Sequence, residues 1–359
     1  MSEPVSELDA YDYPLPEALI AQEPLADRAA ARLLLLGRHD GSISHHCVRD
    51  LPGILRPGDL VVVNDTKVVP ARLVGRREAT GGRWEGLFLA TEEVGGRTLW
   101  RLLARTRGRP GPGERIVLVD AAGRDAASIE LVDRGEGGTW RAFASPDEPA
   151  TTLLARIGRV PLPGYIRGGE ANAADHARYQ TVFSRHPGSA AAPTAGLHFT
   201  DDLLAAIAAR GIDRASVTLH VGLDTFRPIT AERLDEHRMH TEWCECPQAT
   251  VDAILATKSR GGRVVAVGTT TMRTLETAAA RSADPSRLSP WSGPTDLFIR
   301  PGFSFRAVDG LLTNFHLPRT TLMVLVSTFA SRDGILRAYD EAIRERYRFL
   351  SYGDCMLIV

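Results

Sequence analysis

Lysine is nearly missing from this 359-residue chain: Lys67 and Lys258 are the only two, and arginine carries the rest of the positive charge. With 43 basic against 44 acidic residues the formal charge is −1. No global field therefore draws the chain to nucleic acid or anionic lipid, and an RNA contact needs a local patch. Cysteine is scarce as well. Cys47, Cys244, Cys246 and Cys355 are unevenly placed, which argues against a disulfide framework and predicts free thiols in a chain long enough to bury a core without staples. Long apolar runs are absent too. Leu33 to Leu36, Val61 to Val63 and the interrupted Leu322 to Ala330 fall well short of the roughly 18 residues of a bilayer span, so no membrane protein is expected. The opening Met-Ser-Glu-Pro-Val-Ser-Glu has neither the basic nor the apolar segment of a secretory leader, and the expected compartment is the cytoplasm.

What is present changes character twice along the chain. Residues 1–70 hold a short helix candidate, Glu17 to Gln22, and strand candidates Ala31 to Leu36 and Leu60 to Val63. Between Pro70 and about Pro149 six short strand candidates follow one another, separated by glycine turns: Ala71 to Arg76, Trp84 to Ala90, Thr98 to Ala104, Arg115 to Val119, Ser128 to Val132 and Trp140 to Ala144. Even spacing without helical period predicts a small closed antiparallel barrel. From about residue 150 helices and strands alternate, with Thr200 as a helix N-cap, a strand over Ala215 to Val221, a buried strand over Val264 to Val267, and helices over Val251 to Arg260, Met272 to Ala280, Thr320 to about Ala330 and Asp333 to Arg346. The expected fold is α/β: a layered α/β main domain formed by residues 1–70 and 150–359, with a six-stranded antiparallel β-barrel inserted as residues 71–149.

Four polar loops fall at expected strand ends, where open α/β sheets bind ligands. The first is Asn64-Asp65-Thr66-Lys67. The second, Ala192 to Phe199, carries Thr194, a Gly196 that permits close backbone approach, and His198. In the third, Gly268-Thr269-Thr270-Thr271 precedes a helix bearing Arg273 and Glu276; helix N-terminal amides and three hydroxyls suit a carboxylate or phosphate, although the Walker ending is missing. The fourth, Thr313 to Pro318, offers Asn314, Phe315 and His316, the ring serving either as a stacking surface or as core. His240, Glu242 and Cys244 are zinc-type ligands, but they lack a His-Glu-x-x-His spacing, and the one-residue spacer of Cys244 and Cys246 is tighter than zinc cysteines use. Residues 97–115 hold six arginines against Glu114 alone, either a solvated face or a footprint for RNA phosphates.

Taken together these segments resemble the S-adenosylmethionine:tRNA ribosyltransferase-isomerases of queuosine synthesis. The resemblance runs through Asp12 to Pro16, Pro57 to Leu60, Asn64 to Thr66, Pro70 to Leu73, Tyr179 to Val182 and Ala191 to Phe199. It continues through Leu219 to Gly222, Met239, His240, Glu242, Gly268 to Thr270, Arg273, Thr313 to Pro318, Tyr347 to Phe349 and Ser351 to Asp354. It implies an α/β domain with an inserted barrel. It also implies a reaction in which the ribosyl part of S-adenosylmethionine moves onto 7-aminomethyl-7-deazaguanine at the tRNA wobble position. Adenine and methionine leave, and isomerisation gives epoxyqueuosine.

The implied partners are S-adenosylmethionine as co-substrate and a tRNA with a GUN-type anticodon. No metal, DNA or membrane is implied, and the expected state is a monomer. A base that takes the C5′ hydrogen made acidic by the sulfonium is sought among His198, His220, His240, Glu242 and His316. By their location alone Asn64, Asp65, Thr66, Thr194, Gly196, Gly268, Thr269, Thr270, Arg273, Asn314 and Phe315 are expected at the substrate, with Phe199 or Phe315 stacking on the flipped base. Three positions depart from the family pattern: Lys67 stands for arginine, Gly164 for a second proline and Asp224 for glycine. Asp224 leaves open a paralogue acting on a small-molecule acceptor, and the arginine run leaves open a noncatalytic RNA-binding protein.

Overall fold

The computed structural model describes residues 6–135, 138–222, 233–284 and 287–359; Asp224 lies outside them. The chain divides into two compact units, Met1–Lys67 with Tyr165–Arg167 and Ala177–Val359, and Val68–Gly164 with Gly168–His176.

The second unit is built on a closed six-stranded barrel. Two three-stranded meanders, Arg72–Arg77, Arg83–Val94, Arg97–Thr106 and then Arg115–Val119, Asp125–Arg134, Thr139–Ser145, pair edge to edge, every neighbour antiparallel. Gly95 and Gly96, at φ +60° and +75°, join Val94 to its partner Arg97 as a two-residue hairpin, the left-handed backbone that tight turns of this kind require. Alternation sends Leu73, Trp84, Trp100, Leu102, Ile116, Leu118 and Ile129 into the barrel core, which helix Ala150–Ile157 joins through Leu153, Leu154 and Ile157.

The first unit is a nine-stranded mixed sheet. From edge to edge it runs Trp291–Thr295, Glu242–Cys246, Asp213–Leu219, Leu60–Asn64, Val264–Val267, Gly310–Asn314, Cys355–Ile358, Arg32–Leu36 and Ile43–Cys47. The four strands from Asp213–Leu219 to Gly310–Asn314 are parallel. Both faces are covered. Leu60, Val62, Val264 and Ala266 belong to one core with helices Thr269–Arg281, Thr321–Ala330 and Arg332–Arg344, while Val61, Val63, Val265 and Val267 belong to the other, with helix Asp201–Ala209. Burial on both sides is why these strands read as unbroken apolar runs. Thr200 caps its helix as expected, its hydroxyl accepting from the Leu203 amide at 3.1 Å.

Several elements depart from the expectations. Glu17–Leu19 is a single 3-10 turn. Thr313 and Asn314 belong to a strand rather than a loop, because Cys355–Ile358, far off in sequence, pairs with them. The edge strands Ile43–Cys47 and Trp291–Thr295 carry no clear alternation and were not expected. All four cysteines are free. No helix among the described residues is long and apolar enough to cross a membrane.

Candidate functional site

The four parallel strands deliver the polar loops to one end of the sheet. Leu60–Asn64 ends in Asn64-Asp65-Thr66, Asp213–Leu219 in His220, Val264–Val267 in Gly268-Thr269-Thr270, and Gly310–Asn314 in Asn314-Phe315-His316. A cavity of about 90 Å³ opens there, walled by Thr194, Gly268, Thr269, Thr270, Asn314 and His316 and by the apolar surfaces of Val221, Leu317 and Leu322.

Thr269–Arg281 begins at Gly268, and no side chain caps its first turn. The first amides of a helix have no partner inside it, so this end of the cavity offers N–H donors and the positive end of a dipole. Across from it Asn314 is buried with Oδ1 unpartnered, while its Nδ2 donates to Leu350 O at 3.0 Å and lies 3.4 Å from His198 Nε2. His316 Nε2 sits 2.8 Å from Thr313 Oγ1, and its amide donates to Tyr339 Oη at 2.9 Å. Burial pushes the His316 imidazole down to about 3, and burial, then Arg28 and Arg348, push His198 down to about 4. Both rings are neutral hydrogen-bonding groups at pH 7.

Asn64, Asp65 and Thr66 lie beneath this floor as a clamp. Asn64 Oδ1 accepts from the amides of Thr66 at 3.1 Å and Leu219 at 3.0 Å, and Nδ2 donates to Leu219 O at 3.0 Å and Thr270 Oγ1 at 3.2 Å. The side chain thus ties three strand ends and one ligand-facing threonine together. Asp65 accepts from Thr218 Oγ1 at 2.7 Å, and Thr66 Oγ1 lies 2.8 Å from His220 Nδ1. His220 stacks on Trp243 with ring centroids 5.3 Å apart, and burial lowers its pKa first, with His186 adding to the effect.

At the cavity's Val221 border a third group assembles. Glu242 Oε1 accepts from the Gly222 amide at 3.0 Å and lies 3.3 Å from His240 Nε2, while Oε2 takes Arg273 Nη1. Burial would raise the Glu242 pKa, but the hydrogen bond from His240 and the Arg273 charge prevail and hold it at about 2. Glu242 is therefore an anion committed on both oxygens, poorly suited to remove a proton. The carboxylate that Arg273 grips is the protein's own, with Nε on Leu297 O at 3.1 Å and Nη2 buried without a partner. Glu276, a turn further on, accepts the amides of Arg306, Ala307 and Val308 and anchors that loop away from the cavity.

Other expected roles also shift. A side chain at Gly196 would strike Phe183 and Thr181 at 2.8 and 2.9 Å, so its smallness serves core packing. The rings of Phe199 and Phe315 are fully buried, Phe315 against Tyr339 at 5.2 Å and Phe349 at 4.8 Å, and neither has a face free to stack on a base. Cys244 packs among Ala191, Leu219 and Val221, where burial pushes its thiol up to about 11, and the Cys246 thiol is pushed to about 12. Among the described residues no three His, Cys, Asp or Glu side chains gather as a metal site. Among the cavity residues without an expected role are Tyr165, whose hydroxyl lies 2.7 Å from Ser351 Oγ, and Ser351 itself. Ser351 opens the Ser351 to Asp354 segment and Tyr165 follows Gly164; nothing in their local pattern marks a cavity.

The profile described as queuosine biosynthesis protein matches residues 8–358. The chain belongs to the queuosine biosynthesis protein family. A relative from Geobacter sulfurreducens, named S-adenosylmethionine:tRNA ribosyltransferase-isomerase, is 50% identical over 97% of this chain and 98% of its own length. One of the same name from Gloeobacter violaceus is 48% identical over 100% and 99%. The crystal structure of the S-adenosylmethionine tRNA ribosyltransferase from Thermotoga maritima, 36% identical, covers 98% of this chain and 100% of its own with a TM-score of 0.54. Membership in this family makes the chain an enzyme, and a closed β-barrel together with a helix-covered mixed sheet is the fold it shares.

Proposed function

We propose that this protein transfers the ribosyl moiety of S-adenosylmethionine to 7-aminomethyl-7-deazaguanine at the wobble position of a tRNA with a GUN-type anticodon, isomerising it to epoxyqueuosine. The observation that carries the reading is the convergence of polar loops from four adjacent parallel strands on one cavity. The first-turn amides of Thr269 and Thr270 suit the methionyl carboxylate, the Gly268 amide being taken by Leu312 O at 2.8 Å. Tyr165 supplies an apolar wall for adenine, and Asn314, with Oδ1 unpartnered, has acceptor capacity for a ribose hydroxyl or the adenine amine.

The sulfonium makes a C5′ hydrogen acidic. Its removal starts the elimination that releases adenine; the aminomethyl nitrogen then bonds to the ribosyl carbon, and methionine leaves as the ring rearranges. Among the five candidate bases His240 is favoured by its partner: an ionised carboxylate fixes the ring's orientation and stabilises the imidazolium that forms. Glu242 is then a positioning residue. His198 and His316, held neutral with depressed pKa values, suit hydrogen bonding to substrate better than proton removal.

The test mixes protein, S-adenosylmethionine and an anticodon stem-loop bearing the modified base, and follows adenine, methionine and nucleoside mass. All three changing together, only with the modified RNA present, is the expected result. Adenine release without RNA would point to a small-molecule acceptor, and RNA binding without any release to a noncatalytic module.

A further inference from the structure

Next to the cavity lies a smaller recess of about 30 Å³, bordered by Arg28, Arg178, His198 and Tyr352 and sharing Ser351 with the cavity itself. Its arginines are bonded unlike two other buried or half-buried ones in this unit. Arg263 meets Asp59 at 2.6 Å, and Arg273 meets Glu242. Arg28 instead donates Nη1 to Gln180 O at 2.8 Å and Nη2 to Ala177 O at 3.1 Å, and Arg178 donates Nη1 to Ala26 O at 3.2 Å and Nη2 to Leu25 O.

Main-chain carbonyls orient these guanidinium groups but do not neutralise them. Among the described residues no carboxylate comes within ion-pair distance of either. Arg348 adds a third charge close by, with Nη2 on Glu23 O and Nη1 buried and unpartnered. Asp354, six residues on, is occupied by the amides of Arg32 at 2.9 Å and Arg348 at 2.8 Å. Burial and the neighbouring Arg178 charge lower the Arg28 pKa, and Arg28 and Arg348 both act to keep His198 neutral. The recess therefore holds like charges in partial burial without a counter-ion. That arrangement is costly when empty and is relieved by an incoming anion.

We propose that this recess binds a backbone phosphate of the RNA acceptor, through Arg28 and Arg178. The inference rests on the proposed function, in which the one carboxylate of S-adenosylmethionine is taken by the Thr269 and Thr270 amides. The remaining anions are the acceptor's phosphates. A planar guanidinium held by carbonyls on one side presents its remaining N–H groups and charge without further loss of side-chain freedom.

The test is the separate measurement of KM for the stem-loop and for S-adenosylmethionine in Arg28→Gln and Arg178→Gln. The RNA KM should rise about tenfold in each, the loss of one charge-assisted contact. The S-adenosylmethionine KM should stay unchanged, and the slope of log affinity against log salt should become shallower by about 0.7 to 0.9. In wild type one methylphosphonate in the stem-loop should reproduce the loss, and that substitution should cost nothing further in Arg178→Gln. A purely structural role does not produce this coupling. A rise in the S-adenosylmethionine KM instead, or unchanged KM values for both, overturns the proposal. If both variants fail to fold, inorganic phosphate with wild type decides it: inhibition competitive with RNA supports the phosphate site, and inhibition competitive with S-adenosylmethionine, or none, refutes it. A wild-type enzyme that releases no adenine with the modified RNA would instead sink the underlying reading.

Discussion

The barrel and the α/β unit use burial in opposite ways. In the barrel strands Ser128 is the one polar side chain that is buried, and the interior is tryptophan, leucine and isoleucine. The α/β unit buries Asn64, Asp65, His198, Glu242, Arg273, Asn314 and His316, most of them at one end of its sheet. An unpartnered buried polar group costs about 1–3 kcal/mol and a charge more, so a fold keeps such groups only where networks satisfy them or where a ligand completes them. Apart from the unpartnered Trp84 Nε1, the described barrel is thus held by area and pairing. The sheet end trades stability for a site, and Asn314 Oδ1 and Arg273 Nη2, both orphaned, mark where satisfaction is incomplete.

That contrast can be broken most directly through activity. Replacing His240 by Gln should slow adenine release about 10²- to 10⁴-fold, the usual contribution of a general base, with little change in thermal midpoint. If His220→Gln shows that loss and His240→Gln does not, the base assignment moves to the Thr66-linked ring. Next comes the buried pair. Glu242→Gln should cost about 3–5 kcal/mol in chemical denaturation, because it strands the Arg273 charge. The barrel pair of Arg141 and Asp133, exposed on the outer surface, should lose nothing measurable on Arg141→Ala. Equal losses in both would erase the distinction drawn between the units.

A pH titration sharpens it further. In the unfolded chain His198 and His316 titrate near 6.5, whereas the folded values are about 4 and about 3. Below pH 6.5 the unfolded state binds protons that the folded state refuses. Stability is therefore full above that pH and falls by about 1.4 kcal/mol per pH unit for each histidine on the way to pH 4. His316→Asn should make the fall shallower, and an unchanged slope would show that His316 is not held neutral. The smallest effect is expected at Arg101 on the barrel surface, 3.5 Å from Glu92. Arg101→Ser should leave folding unaltered and change RNA affinity only if the run from Arg97 to Arg115 contacts phosphates. That run is less bare than its sequence suggests, since Glu92 crosses to it and Arg97 lies over Phe143 at 3.9 Å.

Local chemistry alone determined a good deal. Glycine pairs such as Gly95-Gly96 and two-residue alternation between them specify hairpins, and two three-stranded meanders of this length pair edge to edge into a barrel, so that unit was legible strand by strand. Thr200 with Asp201 and Asp202, and Thr320, announced their helices because capping involves only neighbouring residues. The four polar loops were visible as hydroxyls, amides and imidazoles following apolar runs.

What only the tertiary structure decided is which of those groups are free. Nothing local distinguishes Asn64, spent on clamping strand ends, from Asn314, whose oxygen is unpartnered. Nothing local reveals that Glu242 and Arg273, 31 residues apart, neutralise each other, while Arg28 and Arg178 find only carbonyls. The strand Cys355–Ile358, which draws Asn314 into the sheet, likewise depends on a pairing across more than 40 residues. A side chain's identity states what bonds it can make. Partnership depends on what the folded chain brings within 3 Å, and in this protein that separates the groups that build the site from those left to meet a ligand.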